Sequence, residues 1–166
     1  MKQKFCLLLA LLLICGLCAC GAQPAAPDAG TCTLEIRCDT LLNHLDELDS
    51  AVAALVPADG CLLAPTEVSL VEGDTVFDVL QRTIRAQDMH MEFSTSAAYN
   101  TAYIEGIGNI YELDAGPLSG WTYCVNGVFP SYGVSACAVQ DGDVIQLLYT
   151  CDLGADVGNS YSEDTP

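Results

Sequence analysis

The stretch Gly120-Trp-Thr-Tyr-Cys-Val-Asn-Gly-Val-Phe129 decides how the rest of the chain is read. In a strand, successive side chains point to opposite faces, so Trp121, Tyr123 and Val125 share one face and Thr122 and Cys124 the other. Asn126-Gly127 follows at once. A two-residue type I′ turn needs positive φ at both central positions, and Asn-Gly tolerates that best. The expectation is a hairpin: a strand over 121–125, the turn, and a return through Val128 and Phe129 that Pro130 interrupts. Trp121 and Tyr123, with Phe129 and Tyr132 just beyond, are either core or a platform for a flat ligand or a partner, because large rigid aromatics give contact area at low entropic cost. Periodicity alone favours core.

Downstream, Asp141-Gly142-Asp143 reads as a turn leading into residues 144–149, an apolar run expected to be a central strand buried on both faces. Upstream, Asp114-Ala-Gly-Pro117 is a turn cluster, and residues 90–93 and 102–107 read as further strands. Residues 75–85 form the clearest helix. Thr75 with Asp78 three residues on resembles a capping box, and Phe77, Leu80 and Ile84 fall on one face. Thr66, Val68 and Leu70 alternate as a strand after a loop framed by Pro57 and Pro65. Leu41, Leu45, Leu48, Val52 and Leu55 are spaced for an amphipathic helix over 40–55. Before it, Cys32, Leu34, Ile36 and Cys38 alternate with Thr33, Glu35 and Arg37 as a half-buried strand. Strand, helical insertion, strand, helix and then several strands predict an α+β roll: one main helix packed on a mixed sheet, with an inserted N-terminal helix.

The whole chain has 166 residues, 22 Asp plus Glu against 5 Lys plus Arg, a formal net charge of -17, 10 Cys and 51% hydrophobic residues. That is room for one ordinary domain. Its charge repels phosphate, which argues against nucleic acid and anionic lipid headgroups as partners. Its hydrophobicity is too high for a disordered acidic polymer.

The N-terminus has a charged start, an apolar stretch over 5–14 and small residues after it, which is the pattern of a secretory signal. Leu17-Cys-Ala-Cys20 resembles the bacterial lipobox. That resemblance implies a lipoprotein signal peptide over 1–19, lipidation of Cys20, and a chain held on the extracytoplasmic face of a bacterial membrane or on the cell surface. Residues 20–31, rich in Ala and Pro, then serve as a tether, residues 32–151 as the domain, and residues 152–166 as a flexible acidic tail. Six cysteines remain in the mature chain: Cys32, Cys38, Cys61, Cys124, Cys137 and Cys151. They are core thiols or disulfide partners, and their spacing does not choose among the pairings. With no Cys-x-x-Cys pair among them, and His44 and His90 distant in sequence, a zinc site is not expected.

Catalysis needs a nucleophile with a base, a carboxylate pair in a cleft, or a metal. Neither a Gly-x-Ser-x-Gly elbow nor a Walker-type loop is present, both lysines precede Cys20, and the two histidines read as surface or core residues. Asp141 and Asp143 read as a turn, without the spacing of a calcium loop. The expectation is a binding protein, with no enzyme activity and no resident cofactor.

Four segments carry a family likeness. Asp74-Thr-Val-Phe-Asp-Val-Leu80, Tyr103-Ile-Glu-Gly-Ile107, Gly120-Trp-Thr-Tyr-Cys-Val-Asn-Gly127 and Asp141-Gly-Asp-Val-Ile145 with Tyr149 resemble, in order and spacing, the transcobalamin-like C-terminal domain. That domain is similar to the β-domain of transcobalamin and intrinsic factor and is found in bacterial surface lipoproteins. The resemblance implies a β-grasp-like fold of the soluble-ligand-binding type. It also implies cobalamin or another corrinoid as candidate ligand, approached by Trp121, Tyr123, Asn126 and Gly127, with Phe129 and Tyr132 beside them. The alternative is a cell-surface protein or glycan interaction module without a small ligand, docking a helical or surface partner protein.

Overall fold

The protein is described here by a computed structural model over residues 29–96 and 100–159. The expected signal peptide, Cys20, the tether as far as residue 28 and residues 160–166 of the expected tail lie outside the described residues.

The described chain is α+β and dominated by sheets. β1 (Thr31–Arg37), β2 (Cys61–Ser69), β6 (Gly120–Val125) and β7 (Val144–Thr150) form a mixed sheet in the order β2-β1-β7-β6. β1 runs parallel to β7, while β1 with β2 and β6 with β7 pair antiparallel. A second sheet contains β3 (Met91–Ser96), β4 (Thr101–Ile107) and the two-residue β5 (Ile110–Tyr111). Helix α2 (Val76–Ala86) connects β2 to β3.

The alternation read in β1 holds residue by residue: Cys32, Leu34, Ile36 and Cys38 are buried, and Thr33, Glu35 and Arg37 are half-buried on the other face. Ile145, Leu147 and Tyr149 of β7, Trp121 and Tyr123 of β6, Val76, Val79, Leu80 and Ile84 of α2, and Ile104, Ile107 and Ile110 of the second sheet join them in one core. Strand β7 is central as expected but buried on one face only. Gln146 and Leu148 are half-buried on the other, where Gln146 Nε2 donates to Glu35 at 2.8 Å.

Helix α2 begins with the full capping box: Thr75 Oγ1 accepts from Asp78 N–H at 3.3 Å, and the Asp78 carboxylate accepts from Thr75 N–H at 2.9 Å. Thr75→Ala removes one half of that exchange, with an expected loss of about 1 kcal/mol. Urea unfolding followed by circular dichroism measures it.

The helix expected over 40–55 is not formed. A 3-10 turn, Asp39–Asn43, and a single α-turn, α1 (Ser50–Ala53), stand in its place. The first piece ends at His44, and Asp49, extended in its backbone, starts the second: its carboxylate accepts from Ala51 N–H at 2.8 Å and caps the new turn. Broken this way, the leucine stripe divides: Leu41 and Leu48 are buried, whereas Leu45 and Leu55 are exposed. The loop expected up to Pro65 is shorter than read, because β2 starts at Cys61. Pro65 falls in a register shift of β2, opposite β1 between Leu34 and Ile36, on an edge strand where its missing N–H breaks no ladder bond. Of the segment 152–166, residues 152–159 are described. They include a 3-10 turn, Ala155–Val157, whose Asp156 carboxylate accepts from Cys151 N–H at 2.7 Å and from the Thr150 hydroxyl.

Candidate functional site

Strand β6 ends in the expected turn, with Asn126 at φ 53 and Gly127 at φ 76. Val125 and Val128 exchange backbone bonds at 2.9 and 3.0 Å, and there the hairpin stops. The return does not continue as a strand; β6 takes β7 as its ladder partner instead. Pro130 is the physical reason, since it cannot donate to a ladder. Asn126 is bound to the β7 end of the sheet. Its backbone N–H donates to the Val144 carbonyl at 2.8 Å, its side-chain Nδ2 to Asp143 at 2.7 Å, and its Oδ1 accepts from Val144 N–H at 2.9 Å.

Beyond Phe129 the chain bends away and leaves a cleft of about 800 Å³ between β6, β4 and residues 130–134. Its inner wall is apolar: Ile104, Trp121, Tyr123, Val134 and Leu147. Its rim carries hydroxyls, from Ser94, Thr101, Tyr103, Thr122, Ser131 and Tyr132. Among the described residues no Lys, Arg, Asp, Glu or His lines it.

Trp121 and Tyr123 are each 7% exposed, so both are core residues whose edges show in the cleft. The indole Nε1 donates to the Ile110 carbonyl at 2.9 Å, and the ring meets Tyr149 edge-on at 5.3 Å. Tyr123 OH donates to the Tyr132 carbonyl at 2.8 Å, which ties the 130–134 segment to β6. Burial first, then neighbouring Cys137, raises the pKa of the Tyr123 phenol, so it stays a neutral donor. Tyr132 is exposed on the rim. On the far side Tyr103 OH donates to Glu112 at 2.5 Å. Burial and that carboxylate raise the Tyr103 pKa.

Gly133 makes the close approach of this segment possible. A Cβ there would lie 2.6 Å from Thr101 Oγ1 and 2.8 Å from the Ala102 carbonyl. Gly133→Ala must push the segment off β4, at an expected cost of about 1–3 kcal/mol. A lowered urea midpoint, together with a changed Trp121 emission, checks it.

Of the six residues expected at a ligand site, the structure brings Trp121, Tyr123 and Tyr132 to one cleft. Asn126, Gly127 and Phe129 do not line it. The β4 wall, from Thr101 to Ile104, and Leu147 were not legible as site residues, because only the folding of the second sheet against β6 places them there. One signal was available: Pro130 ends the hairpin and so leaves one edge of β6 unpaired.

The six cysteines stand as separate thiols. Burial pushes Cys32 up to about 11 and Cys38 to about 12, and it raises Cys124 and Cys151 as well, so these four stay protonated at neutral pH. Among the described residues no group of three His, Cys, Asp or Glu converges as a metal site.

Residues 73–150 match a family model described as "Domain of unknown function (DUF4430)". Among solved structures the chain is similar to haptocorrin, crystallised in complex with Cbi (cobinamide), at 12% identity and a TM-score of 0.54. The match covers 73% of this chain and 25% of haptocorrin, so this chain corresponds to about a quarter of that protein. A second match is a protein from Ruminococcus gnavus ATCC 29149 described as a "putative metal binding protein", at 11% identity and a TM-score of 0.43, covering 73% of this chain and 96% of that one. At these identities the likeness is one of fold. No curated protein matches the chain.

Proposed function

We propose that this chain is a β-grasp-like binding module, lipid-anchored through Cys20 on the extracytoplasmic face of a bacterial membrane or at the cell surface, that takes a small ligand in the cleft between β4 and β6. The observation that carries the reading is the cleft itself: concave, apolar inside, rimmed by hydroxyls, and of a volume that suits a small molecule. A corrinoid is the named candidate, supported by the likeness to haptocorrin, whose structure holds cobinamide. Trp121 and Tyr123 would offer ring edges to such a ligand and Tyr132 an exposed ring, with the hydroxyl rim meeting its amides. The module binds and does not catalyse. Its cleft presents neutral phenols, which suit recognition better than proton transfer.

The test is calorimetric titration of the full chain with a corrinoid panel, read in parallel by fluorescence of Trp121, the single tryptophan. Heat and quenching that saturate below millimolar corrinoid are expected. Tyr132→Ala should weaken binding by about tenfold, the effect of losing an exposed aromatic contact. As a rim substitution it should leave stability within about 0.5 kcal/mol. No heat at millimolar corrinoid removes this ligand class.

A further inference from the structure

We propose that the cleft accepts an extended, lysine-bearing peptide segment of a partner protein, which adds as a strand along the free edge of β6. Three consecutive residues of β6, Trp121, Thr122 and Tyr123, line the cleft, as do four consecutive residues of β4, from Thr101 to Ile104. Side chains alternate between faces along a strand, so a cavity that touches consecutive residues runs along the strand's edge. The cleft therefore runs along the edge of β6, with β4 opposite it.

The hydrogen-bond pattern agrees. Asn126 N–H donates to the Val144 carbonyl, in register with the β6–β7 ladder. Bonding to one neighbour recurs at every second residue, so Cys124, Thr122 and Gly120 direct their backbone groups to β7, while Trp121, Tyr123 and Val125 direct theirs away from it. Val128 takes up those of Val125. Among the described residues nothing takes up those of Trp121 and Tyr123, which are left for an added strand.

The other edge of the same sheet is built differently. Strand β2 carries Pro65, Glu67 and two register shifts against β1, which are the usual guards against strand addition. Strand β6 keeps a regular register from Gly120 to Val125 and has no proline and no charge. The partner's charge follows from the composition. With a net charge of -17, a second copy of this chain is repelled, whereas a cationic strand is attracted. Glu112, bonded to Tyr103 at the rim, is a carboxylate that such a lysine could meet.

This deepens the reading of the cleft as a ligand site, on which it rests, but depends on the β6 backbone and on no corrinoid. The probe is the capped peptide Lys-Val-Thr-Val-Thr-Val-Lys, titrated into the full chain. Its comparisons are the same peptide with Glu at both ends and two versions N-methylated at alternate residues, one for each parity. Amide hydrogen exchange at Trp121 and Tyr123 is the deciding readout. The Lys peptide should slow both amides by about tenfold or more, the Glu peptide should bind about tenfold more weakly, and one of the two N-methylated parities should lose binding. The proposal is overturned by no binding at millimolar Lys peptide, by binding that leaves both amides exchanging at the free rate, by full tolerance of both N-methylated parities, or by equal affinity for the Glu peptide. Corrinoid binding without amide protection by peptide would leave the small-ligand reading standing and remove this one. Amide protection without corrinoid heat would do the reverse, and failure of both removes the cleft as a ligand site.

Discussion

Trp121→Ala is expected to destabilise the protein by about 3–5 kcal/mol, the range for deleting a large buried aromatic. The ring is 7% exposed and packs edge-on against Tyr149, itself 1% exposed at the middle of the core. Its Nε1 crosses from the four-stranded sheet to the second sheet, donating to the Ile110 carbonyl beside β4. Tyr149 makes a parallel crossing, its OH donating to the Tyr111 carbonyl at 2.8 Å. Trp121→Phe separates the two contributions. It keeps most of the apolar contact but leaves Ile110 without its donor, for an expected loss of about 1–3 kcal/mol. Urea unfolding followed by far-ultraviolet circular dichroism, which does not depend on the indole, should rank wild type above Phe and Phe above Ala. A Phe variant as stable as wild type would show that the indole hydrogen bond does not hold the sheets together. A Trp121 variant that loses ligand binding is therefore poor evidence for a contact, and Tyr132, exposed on the rim, is the better probe of the site.

Leu147→Ala is the second large effect, with an expected loss of about 2–5 kcal/mol. Leu147 is 1% exposed, pairs with Ile36 of β1 on one side and Tyr123 of β6 on the other, and also forms the floor of the cleft. Truncation leaves a space beneath Tyr123 that joins the cleft, so little repacking can fill it. The expected signature is a lowered urea midpoint with an unchanged m-value, because the surface exposed on unfolding barely changes. Leu45→Ala, at a leucine 40% exposed on the broken stripe, is the control and should stay within about 0.5 kcal/mol.

Those two leucines also show where sequence periodicity succeeds and where it fails. Leu147 sits in an apolar run of β-favouring residues, and a strand is the arrangement that buries such a run, so its place was readable. Leu45 sits in an equally regular helical pattern, but Asp49 offers its carboxylate to a backbone N–H two residues on and starts a new turn there. A local hydrogen bond that costs little to form outweighed a stripe whose burial depended on a neighbour being in place. The turn at Asn126-Gly127 was readable for the opposite reason, since its conformation is set by two residues alone. Its partner strand was not, because pairing depends on which edge arrives: β7 pairs along the edge of β6 opposite to the return, and the return's own edge stays open beyond Val128.

Local chemistry thus left Trp121 and Tyr123 open between core and platform, while it was enough to determine the β1 alternation, the capped helix α2, the type I′ turn and the strand of β7. Each depends on backbone preferences or side-chain polarity within a few residues. Tertiary structure alone decided that β7 pairs with β6 and that Thr101 to Ile104 face the other edge of β6 across a cleft. Those features arise from contacts between segments about twenty residues apart, and the pattern within either segment is the same whether or not they meet.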